Sequence, residues 1–172
     1  RGTAQMTDRF RFERTWGAEP GSDGAARFRI WAPGQNSVSL ATAATDATEA
    51  MRPIGDGWFE LESRAVAIGA PYAFALDNGM RVPDPAARAQ AGDVHGQSLL
   101  TDPGAYRWKT ADWQGRPWSE AVIYELHTGT FSQDGTFAAI EAKLDHLANI
   151  GITAIELMPV AQFSGNRGWG YD

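Results

Sequence analysis

Ile152-Thr153-Ala154-Ile155-Glu156-Leu157-Met158-Pro159-Val160 runs on into Gly168-Trp169-Gly170-Tyr171-Asp172. A near-continuous apolar stretch of this length, bounded by a glycine and a proline, reads as a strand buried on both faces, as in parallel sheets. The loop after it is aromatic and glycine-rich. Upstream, Ala121-Val122-Ile123-Tyr124-Glu125-Leu126-His127-Thr128-Gly129-Thr130-Phe131 reads as a second such strand. Between them, Phe137, Ile140, Leu144 and Leu147 recur at spacings of three and four, one face of a helix. Asp134-Gly135-Thr136 offers a turn and an N-cap, and Gly151 is placed to end the helix in the left-handed conformation. Strand, helix and strand in this order predict a right-handed parallel crossover. It is the opening of a (β/α)8 barrel, truncated at Asp172, over residues 120–172.

The first part of the chain carries a different pattern. Arg27-Phe28-Arg29-Ile30-Trp31 alternates polar with apolar, the period of a half-buried strand. Pro33-Gly34-Gln35-Asn36 and Gly55-Asp56-Gly57 mark turns. Tyr72, Phe74 and Leu76 share one face of a further strand. Asp77-Asn78-Gly79 follows, and Asn-Gly predicts a hairpin whose two central residues both take positive φ. Short strands with frequent turns predict a β-sandwich over residues 8–84. Residues 85–119 have no clear period. Their glycines, prolines and bulky rings (Tyr106, Trp108, Trp113, Trp118) predict an ordered connector packed along the domain junction.

Composition narrows the function classes. The 172 residues carry 15 basic and 21 acidic side chains, a net charge of −6. No basic cluster is present, which argues against nucleic-acid binding. No apolar run approaches the ~20 residues of a membrane span. There are no cysteines, so disulfides, thiolate metal sites and cysteine nucleophiles are excluded. With no signal-peptide pattern at the start, a cytoplasmic setting is expected. His95, His127 and His146 are too scattered for a metal-ligand pattern, and no cofactor is expected. No P-loop, dinucleotide fingerprint or G-x-S-x-G elbow occurs.

Several of these stretches carry a family resemblance. Tyr124-Glu125-Leu126-His127-Thr128-Gly129-Thr130-Phe131 with Glu156-Leu157-Met158-Pro159-Val160 resembles the first two barrel strands of the α-amylase superfamily (glycoside hydrolase family 13). Arg29-Ile30-Trp31-Ala32-Pro33 resembles a strand of the immunoglobulin-like domain that precedes the barrel in branching and debranching relatives. Pro83-Asp84-Pro85-Ala86-Ala87-Arg88 with Val94-His95-Gly96, Gly135-Thr136-Phe137, and Ala161-Gln162-Phe163 leading to Arg167-Gly168-Trp169-Gly170-Tyr171-Asp172 are similar to its trehalose-releasing branch. A branching enzyme shares the Glu-Leu-Met-Pro and Trp-Gly-Tyr elements but usually has Gln where this chain has Asp172.

The resemblance implies an α-glucan substrate, maltooligosyl trehalose, cleaved at the α-1,4 bond beside its terminal trehalose with retention of configuration. The Asp nucleophile and Glu acid/base of such an enzyme, about 5 Å apart, lie on later barrel strands beyond Asp172. No catalytic residue is therefore expected in this chain, which alone should be inactive. The resemblance makes Tyr171 a sugar-stacking residue, although a loop tyrosine read by itself is more often packing. Asp172 would bond sugar hydroxyls or, more in keeping with its place, brace the loop. His127 is the third candidate contact, near the C-terminal end of its strand, where barrel sites lie. Glu125 and His127 share a strand face, and with Glu156 could form an acid/base set. Polar residues satisfied at a barrel rim are the expected reading. Trp16, Trp31 and Trp58 would form either a glycan platform or part of the sandwich core, and core packing is expected. A stand-alone carbohydrate-binding or structural module is the reading from another class.

Overall fold

The structure, a computed structural model, describes residues 14–42, 47–110 and 112–168. The chain divides into two compact units, residues 1–109 and 110–172.

The first unit is built from antiparallel strands. β1 (Gly17–Pro20), β2 (Ala26–Trp31), β3 (Val38–Thr42), β4 (Thr48–Ala50), β5 (Arg52–Gly55), β6 (Trp58–Ser63), β7 (Pro71–Leu76), β8 (Arg81–Val82) and β9 (Ser98–Leu99) follow one another along the chain. One sheet runs β1-β2-β6-β5. The other runs β4-β3-β7-β8, with β9 also on β7. The sheets share one core. Phe28, Ile30 and Phe59 from the first meet Val38, Leu40, Tyr72 and Phe74 from the second, and the Phe28 and Tyr72 rings lie edge to face at 5.0 Å. Truncating one of the fully buried phenylalanines to alanine costs about 3–5 kcal/mol.

The alternation in β2 holds. Phe28 and Ile30 face the core, while Arg27 and Arg29 are half-buried on the other side. That alternation also turns Trp31 outward. Trp31 is 52% exposed and Trp16 42% exposed, which corrects the expectation that they pack in the core. Trp31 lies across from Trp58 on β6 and donates its indole N–H to the Asp56 carbonyl at 3.0 Å. Trp16 meets Trp58 edge-on at 6.0 Å, and Arg29 sits 4.8 Å above the Trp58 ring.

Two turns behave differently. At Gly55-Asp56-Gly57 all three residues take positive φ (97°, 51° and 80°). A Cβ on Gly57 would come within 2.6 Å of the Pro33 side chain and 2.7 Å of its Cα, so this turn seats directly on the turn after β2. At Asp77-Asn78-Gly79, by contrast, only Gly79 is left-handed. The loop has three residues: Leu76 N–H bonds the Met80 carbonyl at 2.9 Å, and Asn78 Oδ1 accepts from Met80 N–H at 2.9 Å. That is a type I turn with a following glycine, and it relieves Asn78 of the positive φ expected for it.

The pairing of the first unit continues past residue 84. Residues 85–97 loop out and return, so that Ser98–Leu99 pair with β7 and Leu100 enters the core. The return is fixed by a buried polar cluster. Tyr72 donates its hydroxyl to Asp84 Oδ2 at 2.7 Å. Asp84 Oδ1 accepts from Ala86 N–H at 2.8 Å, and Asp84 N–H donates to the Ser98 hydroxyl at 2.8 Å. Burial raises the Asp84 carboxyl above the usual carboxylate range, outweighing the bonds from Tyr72, Ala86 and Ala18 that pull it down. Burial, and then the Asp84 carboxylate, hold the Tyr72 phenol far above the ordinary tyrosine range. Further on, Trp108, Trp113 and Trp118 are largely exposed and take no part in this core.

The second unit begins with β10 (Ile123–Leu126) and ends, among the described residues, with β11 (Ala154–Leu157). The two pair in parallel, with Ile123 against Ala154 and Leu126 against Leu157. The first strand is shorter than its sequence suggested. The apolar run stops at Leu126, and Thr128–Phe131 form a single helical turn, α1, in which Thr130 and Phe131 N–H both bond the His127 carbonyl. The expected helix is present in two pieces, α2 (Phe137–Glu141) and α3 (Leu144–Asn149). Thr136 caps α2 by accepting from Ala139 N–H at 3.2 Å, and Ile140 and Leu147 are the buried members of its apolar face. Gly151 at φ 96° closes α3 as a Schellman motif: its N–H bonds the Ala148 carbonyl, and Ile152 N–H bonds that of Leu147, both at 3.0 Å.

Candidate functional site

The C-terminal ends of β10 and β11 place one candidate residue, His127, beside the loop that follows β11. The ladder closes where Met158 N–H bonds the Leu126 carbonyl at 3.0 Å. His127 follows immediately in β-region backbone, φ −96° and ψ 121°. Its ring turns toward the loop after β11 and meets the Gly168 carbonyl, with Nε2 2.8 Å from the oxygen. A carbonyl can only accept, so Nε2 carries the proton. The other ring nitrogen, Nδ1, is shielded from solvent and has no hydrogen-bond partner among the described residues; the same holds for the Thr128 hydroxyl.

Three glycines make this arrangement possible. A Cβ on Gly129 would lie 3.1 Å from His127 Cε1 and 3.4 Å from Nδ1, so the absence of a side chain there leaves the imidazole its place. Gly135, at φ 61°, brings its α-carbon close to the Gly129 backbone; a Cβ would be 3.1 Å from the Gly129 carbonyl oxygen. Gly168 lies under the Phe163 ring, and a Cβ there would come within 2.9 Å of it. The loop is thus closed on itself by Phe163 and tied to β10 by His127. Nothing in the residue pattern announced the Gly168 carbonyl as a partner. The signal was the repeated glycine at 129, 135 and 168.

Glu125 and Glu156 are register partners on the two strands, side by side and exposed. The placed nitrogen of His127 goes to a main-chain carbonyl, so the structure joins His127 to the loop. Tyr171 and Asp172 lie outside the described residues. No group of three or more His, Cys, Asp or Glu side chains that could hold a metal occurs among the described residues, and no described helix is long and apolar enough to cross a membrane.

The fold is similar to that of proteins of known structure. A Salmonella typhimurium crystal structure named for an alpha amylase superimposes with a TM-score of 0.86 at 52% identity, covering 94% of this chain and 27% of that one. The chain belongs to the α-amylase family of glycoside hydrolases. No family model matches, but the curated relatives narrow the placement. Malto-oligosyltrehalose trehalohydrolase from Deinococcus radiodurans is 43% identical over 91% of this chain, and relatives of the same name run from 36% to 45% identity. A 1,4-alpha-glucan branching enzyme, GlgB 2 of Streptomyces coelicolor, is 34% identical over 94% of the chain and 24% of its own length. The chain spans about a quarter of the length of the trehalohydrolases it matches, 26% for the Deinococcus protein.

Proposed function

We propose that this chain is the N-terminal part of a glycoside hydrolase that cleaves the α-1,4 bond next to the terminal trehalose of maltooligosyl trehalose and releases trehalose. The observation that carries this reading is the 43% identity to a malto-oligosyltrehalose trehalohydrolase over 91% of the chain. In this reading residues 14–109 form an immunoglobulin-like support. The unit with β10 and β11 opens a (β/α)8 barrel, whose sites gather at the C-terminal ends of the strands. The remainder of the longer protein supplies the Asp nucleophile and Glu acid/base of a retaining mechanism. Tyr171 offers its ring face to the C–H face of a glucose unit, and Asp172 braces the loop or bonds a sugar hydroxyl.

The test is an assay of the full-length protein on maltooligosyl trehalose. Free trehalose with no new α-1,6 branches is the expected result. New branches without trehalose would move the protein to the branching enzymes, the second reading that the Streptomyces match favours. Neither product would sink both.

A further inference from the structure

We infer that His127 is a positioning residue: it anchors the loop after β11 through the Gly168 carbonyl, and so holds that loop at the C-terminal end of the strand pair. One ring nitrogen is bonded and the other, unpartnered among the described residues, is enclosed. Nε2 donates to Gly168 at 2.8 Å, and Nδ1 is shut off from solvent. A sugar hydroxyl would need a free, exposed ring edge, and neither edge is one. The anchor has support on both sides. Gly129 leaves room for the ring, and the Phe163 ring packs onto Gly168 from within the loop. A misplacement of about 1 Å in a positioning group can cost roughly a hundredfold in rate.

The consequence for catalysis rests on the proposed trehalose-releasing function; the anchor itself does not. Both are tested on full-length wild type, His127→Leu and His127→Gln. The glutamine amide can donate from about the place of Nε2; leucine cannot. The anchor is read by limited trypsin digestion, following the cut after Arg167, an exposed residue at the bond leading into Gly168. The expected result is cleavage about tenfold faster in H127L, with H127Q within about twofold of wild type. In parallel, kcat/KM for trehalose release should fall roughly ten- to a hundredfold in H127L and recover in H127Q. Equal cleavage in all three proteins overturns the anchor. Faster cleavage with unchanged kcat/KM overturns the positioning role. An H127Q protein that is protected at Arg167 yet as slow as H127L would assign His127 to substrate contact instead, which also overturns it. A wild type that releases no trehalose sinks the proposed function alone, and the digestion still decides the anchor. Should H127L fail to fold, His127→Asn, whose amide stops short of Gly168, replaces it with the same expected outcomes.

Discussion

Gly57 shows how one atom can be excluded twice. Its φ of 80° disfavours any side chain, and the Pro33 ring occupies the place a Cβ would take. Gly57→Ala should therefore destabilise the first unit by at least about 1–3 kcal/mol from overpacking, with backbone strain added, seen as a lower denaturant midpoint. Gly34→Ala, where a Cβ would meet nothing within 4 Å, is the control and should change little. The two glycines look alike in the sequence, because what separates them is a contact between turns more than 20 positions apart. Trp31 teaches the reverse. Its place was readable: with Phe28 and Ile30 inward, a period of two puts residue 31 outward beside Arg27 and Arg29. Its bulk argued for the core, and the pleat decided otherwise.

The helical segment between β10 and β11 was the most legible element, because its start, its face and its stop are all local. Thr136 caps, Ile140 and Leu147 bury, and Gly151 turns the chain out through a Schellman pair. Thr136→Ala should remove the bond to Ala139 N–H and cost about 1 kcal/mol, measurable as a drop in melting temperature; Thr136→Ser should restore most of it. The strand before it was over-read. Beyond Leu126 the residues are Thr-Gly-Thr-Phe, and a run that loses its apolar members also loses what holds it in a sheet. The orientation of the His127 ring is set by a hydrogen bond to a carbonyl 41 positions away. No local pattern encodes that distance.

At the scale of the molecule, one acid is buried among the described residues, Asp84, whose neighbours Tyr72 and Ser98 come from β7 and β9. Flanked by prolines, it reads as turn punctuation, and only the sheet that returns through Ser98 makes it a core residue. Its raised carboxyl gives the fold a pH dependence of defined sign. In the window from the unfolded carboxyl value upward to the raised folded value, the folded state holds a proton that the unfolded state has released. Stability contributed by Asp84 is therefore present below that window and declines as pH rises through it. Asp84→Asn removes the titration, so the stability advantage of wild type over D84N should shrink as pH rises above the ordinary carboxyl range, followed by urea melts at a series of pH values. An advantage that grows with pH would contradict the raised carboxyl.

The same cluster makes Tyr72 a spectroscopic sentinel. Among the described tyrosines, it is the one sealed inside the sandwich against a carboxylate, so its phenolate can form only when the two sheets part. In an alkaline absorbance titration, the tyrosinate signal of Tyr72 should appear abruptly, together with unfolding. The sandwich thus reports its own opening without any attached label.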